Sequence, residues 1–193
     1  MTAKQRSVLL RKWNDLILAN AEELAALVTL ECGKPLGEAR GEVAYAASFI
    51  EWFAEEAKRA YGQVIPPHVP GKRLATIKQP VGLTAAITPW NFPLYVNAEK
   101  VVSALLAGCT VILKPAPDTP LAGVIFGELA AEAGFPEGVL NVITASDPAE
   151  AGEMLVTDPR VDLITFTGST AIGKHIMRQG AETMKRAFLE LGG

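Results

Sequence analysis

The sequence is poor in the residues that build disulfide frameworks and metal sites. It contains two cysteines, Cys32 and Cys109, and two histidines, His68 and His175, at spacings that match no common set of metal ligands. Two cysteines are too few for a disulfide-stapled scaffold, so a reducing, cytoplasmic setting is expected. No metal site is expected either.

Charge of one sign and long apolar runs are also scarce. The 18 Lys and Arg residues stand against 21 Asp and Glu residues, and without a basic block no nucleic-acid partner is expected. The apolar run from Val101 to Leu113 is far shorter than the ~20 residues that span a bilayer, so no membrane partner is expected. The first residues lack the apolar core of a secretory signal. An apolar content of 49% excludes a disordered chain.

The first part of the chain has the periodicity of helices. Apolar residues recur at three- and four-residue spacings from Ser7 to Cys32, which predicts one helix or two, and a second helical segment is predicted from about Gly37 to Ala60. Residues 62–82 are rich in proline and are interpreted as an irregular connection or arm, with a short strand at Leu74–Ile77.

From Val81 onward, short β-rich runs alternate with helical ones. This alternation predicts an α/β fold with a parallel sheet and helices on both faces, preceded by the two N-terminal helical segments. The apolar strands are typical of strands that are buried on both sides. The predicted strands are Leu83–Ile87, Thr110–Leu113, Val139–Ile143, Leu163–Phe166 and Ala187–Leu189, and the predicted helices are Leu94–Leu106, Leu121–Ala133, Ala149–Val156 and Ala171–Met184.

The segments that follow the strands are the candidates for chemistry, because open parallel sheets bind ligands at the carboxyl ends of their strands. Four such segments are Thr88–Pro93, Lys114–Pro120, Thr167–Gly173 and Glu190–Gly193. In the third segment, Gly168 and Ser169 lead into a helix, whose free N–H groups favour phosphate binding.

Other interpretations of the third segment stay open. The dinucleotide fingerprint Gly-x-Gly-x-x-Gly is absent, whereas Gly168, Gly173 and Lys174 come near a Walker A loop. His175 stands where that loop has Ser or Thr. A nucleotide hydrolase and an ordinary helix start are therefore both alternatives.

Lys114, Asn91 and Glu190 each have a functional and a structural interpretation. Lys114 could steer an anionic ligand or only solvate a loop. Asn91 could bind a ligand or cap the helix that begins near Pro93, with the neighbouring Trp90 packed in the core. Glu190 ends an apolar strand, where burial would raise the pKa of its carboxyl group and suit it to base catalysis. A salt-bridged structural acid is the alternative for Glu190.

Four motifs, in this order, resemble those of the aldehyde dehydrogenase superfamily. They are Pro-Trp-Asn-Phe-Pro at 89–93, Leu-Lys-Pro-Ala at 113–116, Phe-Thr-Gly-Ser-Thr at 166–170 and Leu-Glu-Leu-Gly-Gly at 189–193. The first half, with Glu-Cys-Gly-Lys-Pro-Leu at 31–36, most resembles the succinate-semialdehyde dehydrogenase branch. The resemblance implies a Rossmann-like coenzyme-binding fold. It also implies oxidation of a small-molecule aldehyde to its acid, with NAD or NADP, through a cysteine thioester.

The resemblance further implies a role for each matching residue. Asn91 would donate its side-chain N–H to the oxyanion that forms when a thiolate adds to the aldehyde, and Glu190 would activate the water that hydrolyses the thioester. Lys114 would contact the adenosine ribose, Trp90 would line the coenzyme cleft, and Gly168 with Ser169 would meet the pyrophosphate. The other residues assigned to the coenzyme site are Pro117, Gly173 and Leu191.

The family's nucleophilic cysteine lies beyond the Leu-Glu-Leu-Gly-Gly motif. Cys109, which opens an apolar strand, is interpreted as a buried structural thiol. Residues 1–193 are therefore expected to form a partial NAD(P)-binding domain that is inactive alone, with the catalytic domain absent. A nucleotide-binding or subunit-pairing module without catalysis is the alternative. Full-length relatives are implied to be homo-oligomers, assembled partly through an arm to which residues 62–82 would contribute.

Two positions depart from the pattern of the family. Pro117 stands where NAD-preferring relatives carry a Glu that bonds the ribose hydroxyls, so one barrier to NADP is missing, while Asp118 leaves the choice between NAD and NADP open. Glu99 stands where succinate-semialdehyde enzymes carry an Arg for the substrate carboxylate. Its charge would repel that carboxylate, so Glu99 disfavours succinate semialdehyde as the substrate.

Overall fold

The chain begins with three helices. The computed structural model describes residues 1–192 and contains α1 (Ala3–Ala19), α2 (Ala21–Cys32) and α3 (Leu36–Glu56). The segment predicted as one helix or two is two helices, because Asn20 leaves the helical conformation and its Nδ2 donates to the Leu16 carbonyl oxygen at 2.8 Å. Gly193, which ends the last candidate segment, lies outside the described residues.

A small antiparallel hairpin follows the three helices. It consists of β1 (Gln63–Ile65) and β2 (Leu74–Thr76), with Val64 opposite Ala75. The sequence predicts β2 but not β1, because the three residues of β1 are all exposed and show no alternation of apolar and polar side chains. The role of residues 62–82 as an arm stays a prediction.

The rest of the chain forms a five-stranded parallel sheet, in the order β5-β4-β3-β6-β7. The strands are β3 (Leu83–Ile87), β4 (Thr110–Lys114), β5 (Leu140–Val142), β6 (Leu163–Gly168) and β7 (Arg186–Leu191), and the helices between them are α4 (Tyr95–Ala107), α5 (Pro120–Ala133), α6 (Pro148–Thr157) and α7 (Thr170–Ala181). The predicted α/β fold with a parallel sheet is confirmed. Since the chain runs outward from β3 to β5 and then returns to β6, the strand order reverses between β3 and β6, where such sheets bind ligands.

The two faces of the sheet pack against cores of different size. On one face, α4 and α5 cover the sheet and α1 to α3 pack outside them, around fully buried side chains such as Trp13, Phe126 and Leu113. On the other face, α6 and α7 enclose a smaller core that includes Ile164 and Phe166. Cys109 is 5% exposed at the entry to β4, as expected for a structural thiol. Within residues 1–192, no helix combines the length and the apolar character that crossing a membrane requires.

Candidate functional site

The carboxyl ends of four neighbouring strands meet in one row across the sheet. The register places Lys114, Ile87, Phe166 and Leu189 side by side on β4, β3, β6 and β7. Trp90 and Asn91 follow β3, and Pro117 follows β4. Lys114, Gly168, Glu190 and Leu191 are strand residues rather than loop residues, because β4, β6 and β7 run one to two residues further than the sequence predicts.

A cavity of about 700 Å³ lies at this edge of the sheet, between α6 and α7. Its walls are mostly apolar and include Ile87, Val156, Phe166 and Ile176, while Lys114 supplies a cationic group. This volume and lining are typical of a site for a small organic ligand.

A second cavity, of about 320 Å³, lies on the other side of Lys114. It is lined by the β4–α5 loop, including Pro115 and Pro117, and by Thr144 and Ser146 after β5. Lys114 therefore lines both cavities.

Lys114 is a buried cation that has only a long hydrogen bond among residues 1–192. Lys114 is only 5% exposed, so the interpretation that it solvates a loop is wrong. The nearest acceptor of its Nζ is the Pro115 carbonyl oxygen at 3.5 Å, and burial lowers the pKa of the ammonium group. Hydroxyl or phosphate oxygens of a ligand would supply the hydrogen bonds that this group otherwise lacks.

The β6–α7 junction packs closely around two glycines. A Cβ atom on Gly168 would come within 2.4 Å of the Phe166 ring, and one on Gly173 would lie 2.6 Å from the Leu191 Cδ2 atom. Ser169 caps α7, since its Oγ accepts a hydrogen bond from the Ile172 N–H at 3.4 Å. The close contact with Leu191 is enough to explain why a glycine stands at position 173. The assignment of Gly173 and Leu191 to a coenzyme site stays a prediction.

Glu190 belongs to a third cavity, of about 380 Å³, which faces α4. Glu99, Lys100 and Phe188 also line it. Within residues 1–192, Glu190 is exposed on β7, the last strand of the sheet, and its burial stays a prediction.

Lys100 is a second buried lysine, which the sequence analysis does not single out. Its Nζ donates to Thr165 Oγ1 at 3.3 Å, and burial lowers its pKa against the opposing charges of Glu99 and Glu190. Its signal in the sequence is that it is the one cation of α4, next to Glu99 and followed by the apolar pair Val101 and Val102.

Asn91 presents a free side chain. The helix after it begins at Tyr95, and its N-cap residue, Leu94, makes no side-chain cap, so the interpretation of Asn91 as a helix cap is wrong. The backbone carbonyl oxygen of Asn91 accepts a hydrogen bond from Lys34 Nζ at 2.8 Å, and within residues 1–192 its amide side chain makes no hydrogen bond. Trp90 is 55% exposed and therefore does not pack in the core.

The backbone around Asn91 is held by Glu42, which the sequence analysis also misses. Glu42 is 4% exposed, and its Oε1 accepts hydrogen bonds from the N–H groups of Leu94 at 2.9 Å and Tyr95 at 3.1 Å. Its other carboxylate oxygen pairs with Lys34, whose Nζ lies 3.8 Å from the centre of the Phe92 ring. No local sequence signal predicts this contact, because 52 residues separate Glu42 from Leu94.

We expect Tyr95 to ionise only at strongly alkaline pH. Desolvation, followed by the charge of Glu99, raises the pKa of Tyr95 to about 12. An unfolded tyrosine ionises near pH 10, so the raised pKa means that folding favours the neutral form of Tyr95. The resulting contribution to the free energy of unfolding is complete below pH 10 and is lost between about pH 10 and 12. The near-ultraviolet absorbance of tyrosinate measures the titration.

Two variants decide the assignment of this late titration step. Tyr95→Phe should abolish it, while Tyr61→Phe, at an exposed position, should leave it in place. A late step that persists in Tyr95→Phe would contradict the burial argument.

The whole chain matches a known family. The model of the "Aldehyde dehydrogenase family" matches residues 1–193. The chain is 56% identical over its full length to the mitochondrial succinate-semialdehyde dehydrogenase of Arabidopsis thaliana, of which it covers 36%, and 54% identical to the succinate-semialdehyde dehydrogenase [NADP(+)] of Escherichia coli, of which it covers 40%.

A solved structure shares both the fold and the sequence. The crystal structure of an aldehyde dehydrogenase from Brucella melitensis superposes on the whole chain with a TM-score of 0.98 and 56% identity, and the chain covers 40% of it. The chain thus spans about 40% of the length of the relatives it matches. With the motifs, the fold and these matches in agreement, the chain belongs to the aldehyde dehydrogenase family.

Proposed function

We propose that this chain binds NAD or NADP and forms the coenzyme-binding part of an aldehyde dehydrogenase. The observation that carries the proposal is Lys114, a buried ammonium group whose one hydrogen bond in the described part of the chain is 3.5 Å long, set between two cavities at the carboxyl edge of the sheet. A dinucleotide has both the flat ring that apolar walls suit and the hydroxyl and phosphate oxygens that a lysine binds.

The residues at this edge suit the parts of such a coenzyme. The apolar cavity between α6 and α7 would hold a ring, and Lys114 would donate hydrogen bonds to ribose hydroxyls. The N-terminus of α7, after Gly168 and Ser169, would face the pyrophosphate. When bound, the coenzyme would accept a hydride from the substrate.

Asn91 and Glu190 would contribute to the chemistry of the complete enzyme. The amide of Asn91, which makes no hydrogen bond within residues 1–192, is able to donate one to a developing oxyanion, and the carboxylate of Glu190 is able to accept a proton from water. The nucleophile would come from outside residues 1–193, because Cys109 is buried and the Cys32 thiol donates a hydrogen bond to the Val28 carbonyl oxygen at 3.1 Å within α2.

The substrate is proposed as an aldehyde, as for the family. Two relatives are named succinate-semialdehyde dehydrogenases, whereas Glu99 brings a negative charge to the cavity that contains Glu190. This charge would disfavour a substrate carboxylate near α4, so the proposal does not extend to succinate semialdehyde.

A second proposal is that the chain serves in subunit pairing without catalysis. The β1–β2 hairpin favours it, because Val64 is 89% exposed and Ile77, just after β2, is 75% exposed. Apolar side chains this exposed are common at interfaces between subunits. In the complete enzyme, the same hairpin would contribute to a homo-oligomer.

Replacing Lys114 with alanine should weaken coenzyme binding about 10- to 100-fold, because hydrogen bonds to a charged donor are lost. Titration calorimetry of the chain with NAD and with NADP measures the dissociation constants. Lys174→Ala is the matched control, since Lys174 is exposed on α7 and is the lysine that the Walker A alternative requires.

Three outcomes of this titration would count against the proposal. No binding of either coenzyme by the unmodified chain would refute it. Equal affinities of the Lys114→Ala variant and the unmodified chain would show that Lys114 is not a ligand. Loss of binding in Lys174→Ala, together with ATP hydrolysis by the unmodified chain, would favour the nucleotide hydrolase.

A further inference from the structure

The corner between α2 and α3, residues 31–42, touches the starts of two helices of the sheet domain. It carries Glu31 at the end of α2, Lys34 in the turn and Glu42 in α3. Gly33 ends α2 in the left-handed conformation, with φ of 72°, which a glycine adopts without strain. The chain therefore reverses sharply here, and both carboxylates face the sheet domain.

Glu31 binds the first turn of α5. Its Oε1 accepts a hydrogen bond from the Leu121 N–H at 2.7 Å, and its Oε2 accepts one from the Ala122 N–H at 2.9 Å. The N-cap residue of α5, Thr119, makes no side-chain cap. Glu31 thus satisfies from 90 residues away the N–H groups that an N-cap side chain would otherwise bind.

Glu42 does the same for α4, through the N–H groups of Leu94 and Tyr95. Lys34 links this contact to the neighbouring loop, since its Nζ pairs with Glu42 and also donates to the Asn91 carbonyl oxygen. Glu42 and Lys34 are both largely buried, so water competes little for these bonds.

The two helices that this corner binds begin directly after the two loops of the proposed site. The loop before α4 carries Trp90 and Asn91, and the loop before α5 follows Lys114 and carries Pro117. We infer that the α2–α3 corner is a positioning device that fixes the backbone of both loops, so that Asn91 and the coenzyme-site loop with Pro117, which directly follows Lys114, are held by one element. The mechanical part of this inference is that the corner fixes the backbone of the loops, and it does not depend on the proposed function. The functional consequence is that coenzyme binding needs the corner, and this rests on the proposed function.

Amide hydrogen exchange of the full chain tests the mechanical part. Glu31→Gln should speed exchange at Leu121 and Ala122 about tenfold, because one charge-assisted cap is lost. Glu42→Gln should do so at Leu94 and Tyr95. Lys34→Met, which keeps the apolar stem, should speed exchange in residues 90–95 and serves as the second variant if Glu42→Gln does not fold.

The control is Arg40→Met, which breaks an ion pair with Glu22 on the exposed side of the same corner. It should leave exchange in both loops unchanged. If Glu31→Gln and Lys34→Met match this control, or if they speed exchange uniformly through the chain, the corner does not position the loops and the inference is overturned.

Coenzyme affinity separates this inference from the proposed function. Glu31→Gln should weaken coenzyme binding about fivefold relative to the unmodified chain, whereas a merely structural role would lower the unfolding midpoint and leave the affinity unchanged. An unmodified chain that binds no coenzyme would refute the proposed function, while the exchange data would still decide whether the corner holds the loops. Unchanged affinity together with locally faster exchange would refute the functional consequence alone.

Discussion

Replacing Trp13 with alanine is expected to lower the free energy of unfolding by about 3–5 kcal/mol. Trp13 is fully buried on α1, where its ring centre lies 4.3 Å from that of Phe126 and 5.6 Å from that of Phe135. It joins the N-terminal helices to α5, so its removal leaves a cavity between two layers of the fold. Urea unfolding, followed by the circular dichroism of the helices, measures the change.

Two control variants separate packing from the other properties of tryptophan. Trp52→Ala, at a site that is 65% exposed, should change the free energy of unfolding by less than about 0.5 kcal/mol. Trp13→Phe should cost much less than Trp13→Ala, because the buried indole N–H has no hydrogen-bond acceptor among the described residues. A loss below about 1 kcal/mol in Trp13→Ala would show that the helical layer is not packed as described.

Replacing Asn91 with alanine is expected to lower kcat about 10²- to 10³-fold in a complete enzyme, because one preorganised oxyanion donor is removed. A suitable enzyme is a chimera in which this chain replaces the matching part of the Escherichia coli relative, to which it is 54% identical. Steady-state oxidation of several aldehydes, followed by reduction of the coenzyme, measures the effect.

Asn141→Ala is the matched control for this loss. Asn141 is an exposed asparagine on β5 whose amide donates to the Gly138 carbonyl oxygen at 3.0 Å, away from the β3–α4 loop. It should leave kcat unchanged. If an active chimera keeps most of its kcat in Asn91→Ala, the oxyanion role of Asn91 is wrong.

The sheet could be predicted from the sequence because its signals are local. Strands such as Leu83–Ile87 are short apolar runs, and Gly108 and Gly134 end the helices that precede the next strands. The carboxyl ends of parallel strands share one edge, so placing Lys114, Asn91 and Gly168 at that edge requires only the strand assignments.

The environment of the site residues could not be predicted in the same way. Lys114 is buried, whereas the local pattern equally allowed a solvated loop lysine, because burial depends on which elements cover a strand end. The contacts of Glu31 and Glu42 span 90 and 52 residues, and no periodicity or motif reports such a contact.

The unequal cores of the two sheet faces bear on how ligand binding and local unfolding are linked. The face covered by α6 and α7 buries fewer apolar side chains, so it should open at a lower free energy than the face that contains Trp13. The cavity proposed for the coenzyme lies on this weaker face. A bound nucleotide would therefore suppress the opening of α6 and α7 by mass action and make the two halves melt together.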